Sequence, residues 1–402
     1  GSEMCIRDRC TILMNNYTEK LLGLEDVILE NVVETDSEKQ ILISMKRQPH
    51  DCPCCSMPTS TVHDYRLQKI KDIPTFGLHT VLVLRKRRYV CPSCGKRFAE
   101  KVPFLPKYQR TTNRLWVYIL QQLRSAYSMK SIAQKVNVSA STVARVLDYV
   151  SYNITSLPSV LSIDEFKGNA DGEKFQCIVT NPKKKIVLDI LPDRKQEALC
   201  KYFSKFTNRS QVQYITMDMS GPFRATAKRC FPNAEIVADK FHVVRQVTWA
   251  FENVRKRVQK EFHQDRRKYF KHARRLLLKR SEKLTSDQLQ QVSIMLSCSK
   301  ELAFAYHLKN EFYRFMDSKN ETEARKRLKN WMLIAAAADI PEFKKCINTF
   351  SDWSKEILNA FKTGLSNGYT EGCNNRIKVI KRNAYGIRNF QRMRKRILHV
   401  MA

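Results

Sequence analysis

At 402 residues the chain is long enough for two or three domains, and 43% hydrophobic residues with 10% aromatics exclude a disordered polyelectrolyte. Its 72 Lys and Arg against 39 Asp and Glu leave a net charge of +33, more than solubility needs and the electrostatic footprint of a protein that meets phosphate backbones. No apolar run approaches the ~18–20 residues that cross a bilayer, and no charged-then-apolar leader opens the chain, so a cytoplasmic protein with no membrane partner is expected.

The opening GSEMCIRDRC is aperiodic. Residues 1–40 are expected to be an extension, partly non-native or flexible, and no function is assigned to Cys5 or Cys10. Residues 41–105 read as a zinc ribbon. Five of the 13 cysteines fall between Cys52 and Cys94, as C-P-C-C and C-P-S-C-G-K-R-F, with the extended run HTVLVLRKRRYV before the second pair. One structural zinc ion needs four soft thiolates in a tetrahedron, and each knuckle supplies two from a tight turn in which Gly95 can take positive φ. Cys52, Cys55, Cys91 and Cys94 are the expected ligands, with Cys54 an alternative to Cys55. Arg85, Arg87 and Arg88 make the adjoining strand basic and suit phosphate contacts.

Residues 106–157 turn helical. In SMKSIAQKVNVSASTVARVLDYV the spacing of Ile132, Ala133, Val136, Val138, Val143, Val146 and Leu147 is that of a helix-turn-helix, with a turn near Asn137. Ser139 or Ser141 can cap the second helix. Ser141, Thr142 and Arg145 then lie near its exposed N-terminal part, where such helices enter the major groove of double-stranded DNA.

Over residues 158–244 the segments LSIDEF, KFQCIVT and KIVLDIL read as strands. A helix, the strand QYITMD, a second helix and the strand AEIVAD follow. This order is that of an RNase H-like sheet. It puts Asp164 on the first strand, at the end of a strand-like run, and Asp218 at the end of the fourth. Residues 245–362 belong to a long helical region: no glycine occurs between Pro222 and Thr363. Trp249, Trp331 and Trp353 fall at core-like positions, and the Lys- and Arg-rich stretch from Arg255 to Arg280 suits a surface that tracks DNA. In residues 363–402, Glu371, Asn374, Lys378 and Lys381 or Arg382 recur every three or four residues, on one face of a helix. A basic run from Arg388 to Arg396 follows.

Three acids thus stand in apolar or small-residue surroundings of a basic chain: Asp164, Asp218 and Glu371. Phosphodiester cleavage at neutral pH needs a strong oxygen nucleophile, a stabilised leaving oxygen and charge neutralisation, all supplied by two divalent ions roughly 4 Å apart. Hard ions such as Mg²⁺ or Mn²⁺ take carboxylate oxygens. Asp164 would bridge the two, with Asp218 completing one site and Glu371 the other. Glu165 points to the opposite face of its strand, and Asp189 and Asp239 are possible neighbours.

The knuckles, SIDEF, MDMSGPF, VADKFHVVRQV and TEGCNNRIKVIKRNAYGIRNFQRMRKRI together resemble the bacterial insertion-sequence transposases of the ISL3 type, from about Ile41 to the end. The resemblance implies a DDE transposase, with Asp164, Asp218 and Glu371 on the catalytic positions and the helical stretch as an insertion between the second and third acids. Asp239 and His242 match a D-x-x-H pattern similar to that of Mutator-like enzymes. With Asn374 they are expected around the metal ligands without coordinating. The expected whole is a multidomain α+β protein: zinc ribbon, helix-turn-helix, and an RNase H-like α/β catalytic core interrupted by a large all-α insertion. Its expected activity is cleavage at insertion-sequence ends and strand transfer of the 3′ hydroxyl into target DNA. The partners are terminal inverted repeats, target DNA and a second copy or more on paired ends. The rival readings are an inactive zinc-containing DNA-binding regulator derived from a transposase, against which the presence of all three acids weighs, and an RNase H-like nuclease without strand transfer.

Overall fold

A computed structural model describes residues 22–263, 267, 270, 273–384 and 386–402. Cys5, Cys10 and parts of the expected extension and of the basic stretch from Arg255 to Arg280 lie outside them. The described residues form 14 helices and three sheets, and the chain divides into two compact units.

The first unit comprises the described residues within Gly1–Ser151, Val379–Ile387 and Lys395–Val400. Its main sheet has the order β1 (Val27–Glu34), β2 (Glu38–Met45), β6 (Leu78–Val90), β5 (Val62–Thr75), with β7 (Arg97–Ala99) also paired to β6. Strands β2 and β6 run parallel and the other pairs antiparallel. Ile41, Ile43, Ile70, Leu82 and Leu84 bury one face with Leu24, Val102 and Leu105. Within the extension expected over residues 1–40, the described part holds β1 and the start of β2. Two-residue strands β3 (His50–Asp51) and β4 (Pro58–Thr59) pair with each other beside the first knuckle.

Helices α1 (Asn113–Leu123), α2 (Met129–Lys135) and α3 (Ala140–Asp148) close on Leu115, Ile119, Ile132, Val143 and Leu147. The chain turns between α2 and α3 at Asn137, with φ of 52°, and Ser139 is the residue that caps α3, accepting from Thr142 N at 3.2 Å. Buried Asp72 of β5 accepts from Thr112 Oγ1 at 2.7 Å and Arg114 Nε at 2.8 Å, which ties α1 to the sheet.

The second unit comprises Tyr152–Lys378, Arg388–Arg394 and Met401–Ala402. Chain order gives β8 (Val160–Ala170), β9 (Glu173–Asn181), β10 (Ile186–Leu191), α4 (Gln196–Phe203), β11 (Tyr214–Met217), α5 (Gly221–Cys230) and β12 (Glu235–Ala238). The sheet order is β10-β9-β8-β11-β12, antiparallel from β8 to β10, with β11 parallel to both β8 and β12. Leu161, Ile163, Cys177, Val179, Ile215 and Met217 pack one face against Leu199 and Phe203 of α4 and Phe223 of α5. Strand β8 continues to Ala170 in its hairpin with β9, so Asp164 lies inside the strand and not at its end.

From Lys240 to Thr363 the described chain is helical: α6 (Lys240–Lys260), α7 (Arg274–Leu278), α8 (Ser286–Ser297), α9 (Lys300–Met316), α10 (Glu321–Ala337), α11 (Pro341–Asp352) and α12 (Ser354–Thr363). Trp331 packs with Phe312, Phe343 and Phe350 at its centre, and Trp353 is buried as well. Trp249 is 51% exposed, because α6 buries Val243, Val247, Ala250 and Val254 and leaves position 249 on its other side, under the Arg245 guanidinium. Helices α13 (Gly368–Asn383) and α14 (Phe390–Met401) complete the chain.

Candidate functional site

The two knuckles fold alike. Ser56 N donates to Cys52 O at 2.9 Å and Gly95 N to Cys91 O at 2.9 Å, with φ of 57° at Ser56 and 68° at Gly95. Each turn thereby aims two sulfurs inward. The Sγ atoms of Cys52, Cys55, Cys91 and Cys94 lie within 4.8 Å of one another, three of the pairs at 3.5 Å. A tetrahedral ion with bonds of about 2.3 Å separates its sulfurs by about 3.8 Å, so the four fit zinc. Cys55 lies in this cluster, whereas Cys54 is exposed and outside it.

In the second unit the carboxylates converge where β8, β11 and β12 lie side by side. Asp164 is buried; its Oδ1 accepts from Glu165 N at 2.7 Å and its Oδ2 from Asn374 Nδ2 of α13 at 2.9 Å. The same face of α13 carries Thr370, whose hydroxyl bonds Ser162 Oγ at 2.8 Å and Thr180 Oγ1 at 2.9 Å. Small polar side chains thus dock the helix beside Asp164. Burial, and then the charge of Asp218, push the Asp164 carboxyl up to about 7.

Asp218 follows β11 and Asp239 follows β12, where Asp239 caps α6. His242 Nδ1 lies 2.8 Å from Asp218 Oδ1 and 3.0 Å from Asp239 Oδ2. Burial opposes a charge on this imidazole, but its bonds to the two carboxylates prevail and hold it up to about 10. Nδ1 has one proton to share between the two, so Asp218 Oδ1 faces the charged ring at 2.8 Å without a full hydrogen bond of its own, while Asn374 Oδ1 is buried with no hydrogen bond among the described residues. Carboxylates that repel one another beside such under-satisfied acceptors are what a hard cation relieves. Asp218, Asp239 and His242 form a three-residue group whose ligand atoms lie within 4.8 Å; Glu371 stands outside that group, half-exposed in the first turn of α13.

A cavity of about 240 Å³ opens here, lined by Asp218, Ser220, His242, Glu165 and Arg194. Glu165 does point away from Asp164, yet it reaches this cavity and pairs there with Arg194. Sequence reasoning passed over both, since the direction of a strand side chain says nothing of what a later loop brings beside it.

A profile described as that of a transposase matches residues 161–397, one for the helix-turn-helix domain of transposase family ISL3 matches residues 100–151, and one for the zinc-finger of transposase IS204/IS1001/IS1096/IS1165 matches residues 48–94. The chain belongs to the ISL3 transposase family. It is 28% identical over 348 residues to the transposase for insertion sequence element IS1001 of Bordetella parapertussis, covering 84% of this chain and 85% of that one. The transposase for insertion sequence element IS1557 of Mycobacterium tuberculosis is 25% identical over 205 residues, 45% of this chain and 46% of its own. A Lactococcus lactis protein named an ATP-dependent protease is 32% identical over 108 residues, 27% of this chain and 33% of its own. As an ISL3 transposase the chain is an enzyme of the DDE class that binds DNA, and none of its described helices is long and apolar enough to cross a membrane.

The basic residues expected to serve this ISL3 transposase on DNA are placed unequally. Arg85 is exposed with its guanidinium 4.4 Å from the Tyr65 ring, and Arg88 pairs with Asp64 at 3.0 Å. Arg87 is buried, donating to Met45 O at 2.7 Å and facing Glu100 at 3.3 Å, so it is a structural cation and not a surface one. Ser141 and Arg145 are exposed on α3, and Thr142 is half-exposed there, its Oγ1 2.9 Å from the capping Ser139 hydroxyl and 3.1 Å from Arg145 Nη2. On α13, Glu371, Lys378 and Arg382 share an edge that leaves Asn374 on the buried face; Lys381 is half-exposed, and Arg388 is exposed beyond the helix. In the stretch from Arg255 to Arg280, Arg255 is buried against Glu252 at 2.6 Å, Arg257 pairs with Glu301 and Glu342, and Arg280 pairs with Asp317. These three cations are engaged within the helical region.

Proposed function

We propose that the chain cleaves DNA at insertion-sequence ends and joins the freed 3′ hydroxyl to target DNA, in a metal-dependent site on an RNase H-like core. In this reading the helices between Lys240 and Thr363 are an all-α insertion, and Asp164, Asp218 and Glu371 hold two Mg²⁺ or Mn²⁺ ions. The observation that carries it is Asp164 inside the central strand β8, coupled to Asp218 at the end of the adjacent parallel strand β11, with α13 bonded to Asp164.

Divalent cations, when bound, activate the attacking oxygen and offset phosphate charge. The chain's own residues prepare that site. Asn374 fixes one Asp164 oxygen by donating to it. His242, held by Asp239, takes up one side of Asp218 and aims the carboxylate, so neither Asp239 nor His242 need be a ligand. Glu371 stands one turn before Asn374 and would swing its half-exposed carboxylate toward the same centre. Arg194, and Lys378 of α13, would hold the strand's phosphates. Water serves the first step and the 3′ hydroxyl takes its place in the second, so no high-energy cofactor is required.

The tetracysteine ribbon and α3 would read the terminal inverted repeats through Ser141, Thr142 and Arg145, with Arg85 and Arg88 on phosphates. Pairing of two ends implies a dimer or larger assembly, and the protein would act on DNA in the cytoplasm. The deciding experiment incubates Asp164→Asn with a plasmid that carries the element's two ends. It should bind the ends as wild type does and neither nick nor join them in Mg²⁺; wild-type cleavage by the variant would refute the assignment. Scoring joined products separates a transposase from a nuclease.

A further inference from the structure

A cavity of about 720 Å³ in the first unit has no part in the chemistry above. Lys69 and Lys71 of β5, Arg110 of the loop before α1, Trp116 of α1, and Arg145 and Tyr149 at α3 line it. Backbone bonds hold its walls in place: Lys71 N donates to Arg110 O at 2.9 Å and Thr112 N to Lys71 O at 3.1 Å. The Lys71 ammonium crosses the cleft floor to Asn137 O in the turn before α3. The walls are thus built before any ligand arrives.

Their chemistry is mixed in a particular way. Trp116 and Tyr149 meet edge to face with centroids 5.0 Å apart, and Tyr149 is 75% exposed although it is a large ring in a concave wall. Cations dominate, with Glu38 as the acid among the lining residues. Gln109 Oε1 is buried at the same cavity without a hydrogen-bond partner among the described residues. A phosphate cannot satisfy that acceptor, because a phosphate brings only acceptors of its own; a nucleobase brings N–H groups and a face for the rings. The volume is in the ~300–1,000 Å³ range of sites for a compact ligand and does not admit a duplex.

We infer that this cleft takes one unpaired nucleotide of the DNA that α3 contacts. The base would stack on Tyr149 and Trp116 and donate to Gln109, while Lys69 and Arg110 hold its phosphates. The inference rests on the reading of α3 as a DNA-binding helix, and the test keeps the two apart. Full-length, zinc-loaded protein is titrated at low salt against three fluorescent duplexes of one sequence: fully paired, with a single deoxyadenosine bulge, and with an abasic residue in the bulge. The abasic bulge preserves the bend of the DNA and removes the base. Wild type should bind the adenine bulge roughly tenfold more tightly than the abasic one, the scale of one stacked base. Tyr149→Ala should bring that ratio below about twofold without changing affinity for the paired duplex, and being exposed it should leave the fold intact. Gln109→Leu should lower the ratio partway. Equal affinity of wild type for the two bulges, or an undiminished ratio in Tyr149→Ala, would overturn the inference. Ser141→Glu, on α3 and outside the cleft lining, reports on the underlying reading instead: it should weaken all three probes alike, and failure to weaken the paired duplex would count against α3 as the DNA-binding helix, whereas the bulge ratio alone decides the inference.

Discussion

Every ligand of the tetracysteine cluster comes from one of two short knuckles whose turns are the same hydrogen-bonded loop, whereas Asp164, Asp218 and Asp239 arrive on or just after three different strands. The polar side chain that orients Asp164 comes from a helix that starts at Gly368. The first site is a local structure that needs a metal. The second is a product of sheet topology, and it concentrates negative charge with buried acceptor oxygens left over. A metal site of the first kind is part of the folding free energy of its domain; one of the second kind weakens the fold around it in return for chemistry.

That contrast can be broken at several points. The largest effect belongs to zinc. Cys91→Ser, or chelation, should remove metal binding that contributes on the order of 10 kcal/mol to folding and should abolish end recognition, while Cys54→Ser keeps one zinc per chain; elemental analysis with near-ultraviolet circular dichroism reads both. Should Cys91→Ser retain full zinc, the local account of the cluster fails. Next, Asp164→Asn should slow Mg²⁺-dependent cleavage by roughly 10³-fold or more, the scale of a group acting in the transition state. The same change should raise metal-free stability. The folded carboxyl titrates near 7 against 3.8 ordinarily, so above pH 7 the native state carries a buried charge that the amide lacks. A gain of about 1–3 kcal/mol in denaturant unfolding at pH 8 is expected, and a loss would contradict the strained centre.

Lys309 supplies a smaller effect, far from either site. It is fully buried, donates to Leu277 O and Lys279 O, and lies 4.2 Å from the Tyr306 ring. Burial lowers it from 10.5 to about 7. Below pH 7 both folded and unfolded chains hold the proton and the native state bears the whole cost of the charge. Between 7 and 10.5 the unfolded chain binds more protons, so stability should rise with pH by about 2–4 kcal/mol. Lys309→Met should flatten that rise in melting experiments; an unchanged slope would exclude Lys309 as its source. Smallest is Ser139→Ala, which removes the cap of α3 and should cost about 1 kcal/mol with a proportionate loss in DNA affinity.

Spacing made the cysteine cluster readable almost entirely. What it could not decide was Cys54 against Cys55, which depends on Ser56 taking positive φ to bring Cys55 around. The strand and helix order of the second unit was readable for the same local reason, since apolar runs and turn residues state their own period. Long-range facts were not. Arg87 reads as one of a basic run with Arg85 and Arg88 until Glu100, after β7, folds over and draws it inward. Trp249 reads as core until the buried stripe of α6 fixes which side is covered. Arg194 reaches Glu165 and the cavity beside Asp218 only through the loop after β10, and Thr370, which seats α13 on β8 beside the expected Asn374, carries no signal apart from being small.

The central claim is that Asp164, Asp218 and Glu371 act as one divalent-metal site although neither Asp164 nor Glu371 belongs to the close group of Asp218, Asp239 and His242 in this structure. Electron paramagnetic resonance of bound Mn²⁺ tests it directly, with zinc-loaded wild type set beside Asp218→Asn and Glu371→Gln in the presence of end DNA. The account predicts bound Mn²⁺ in the wild type, a weaker site in each variant, and unchanged zinc content in all three. Undiminished Mn²⁺ binding in both variants would contradict it.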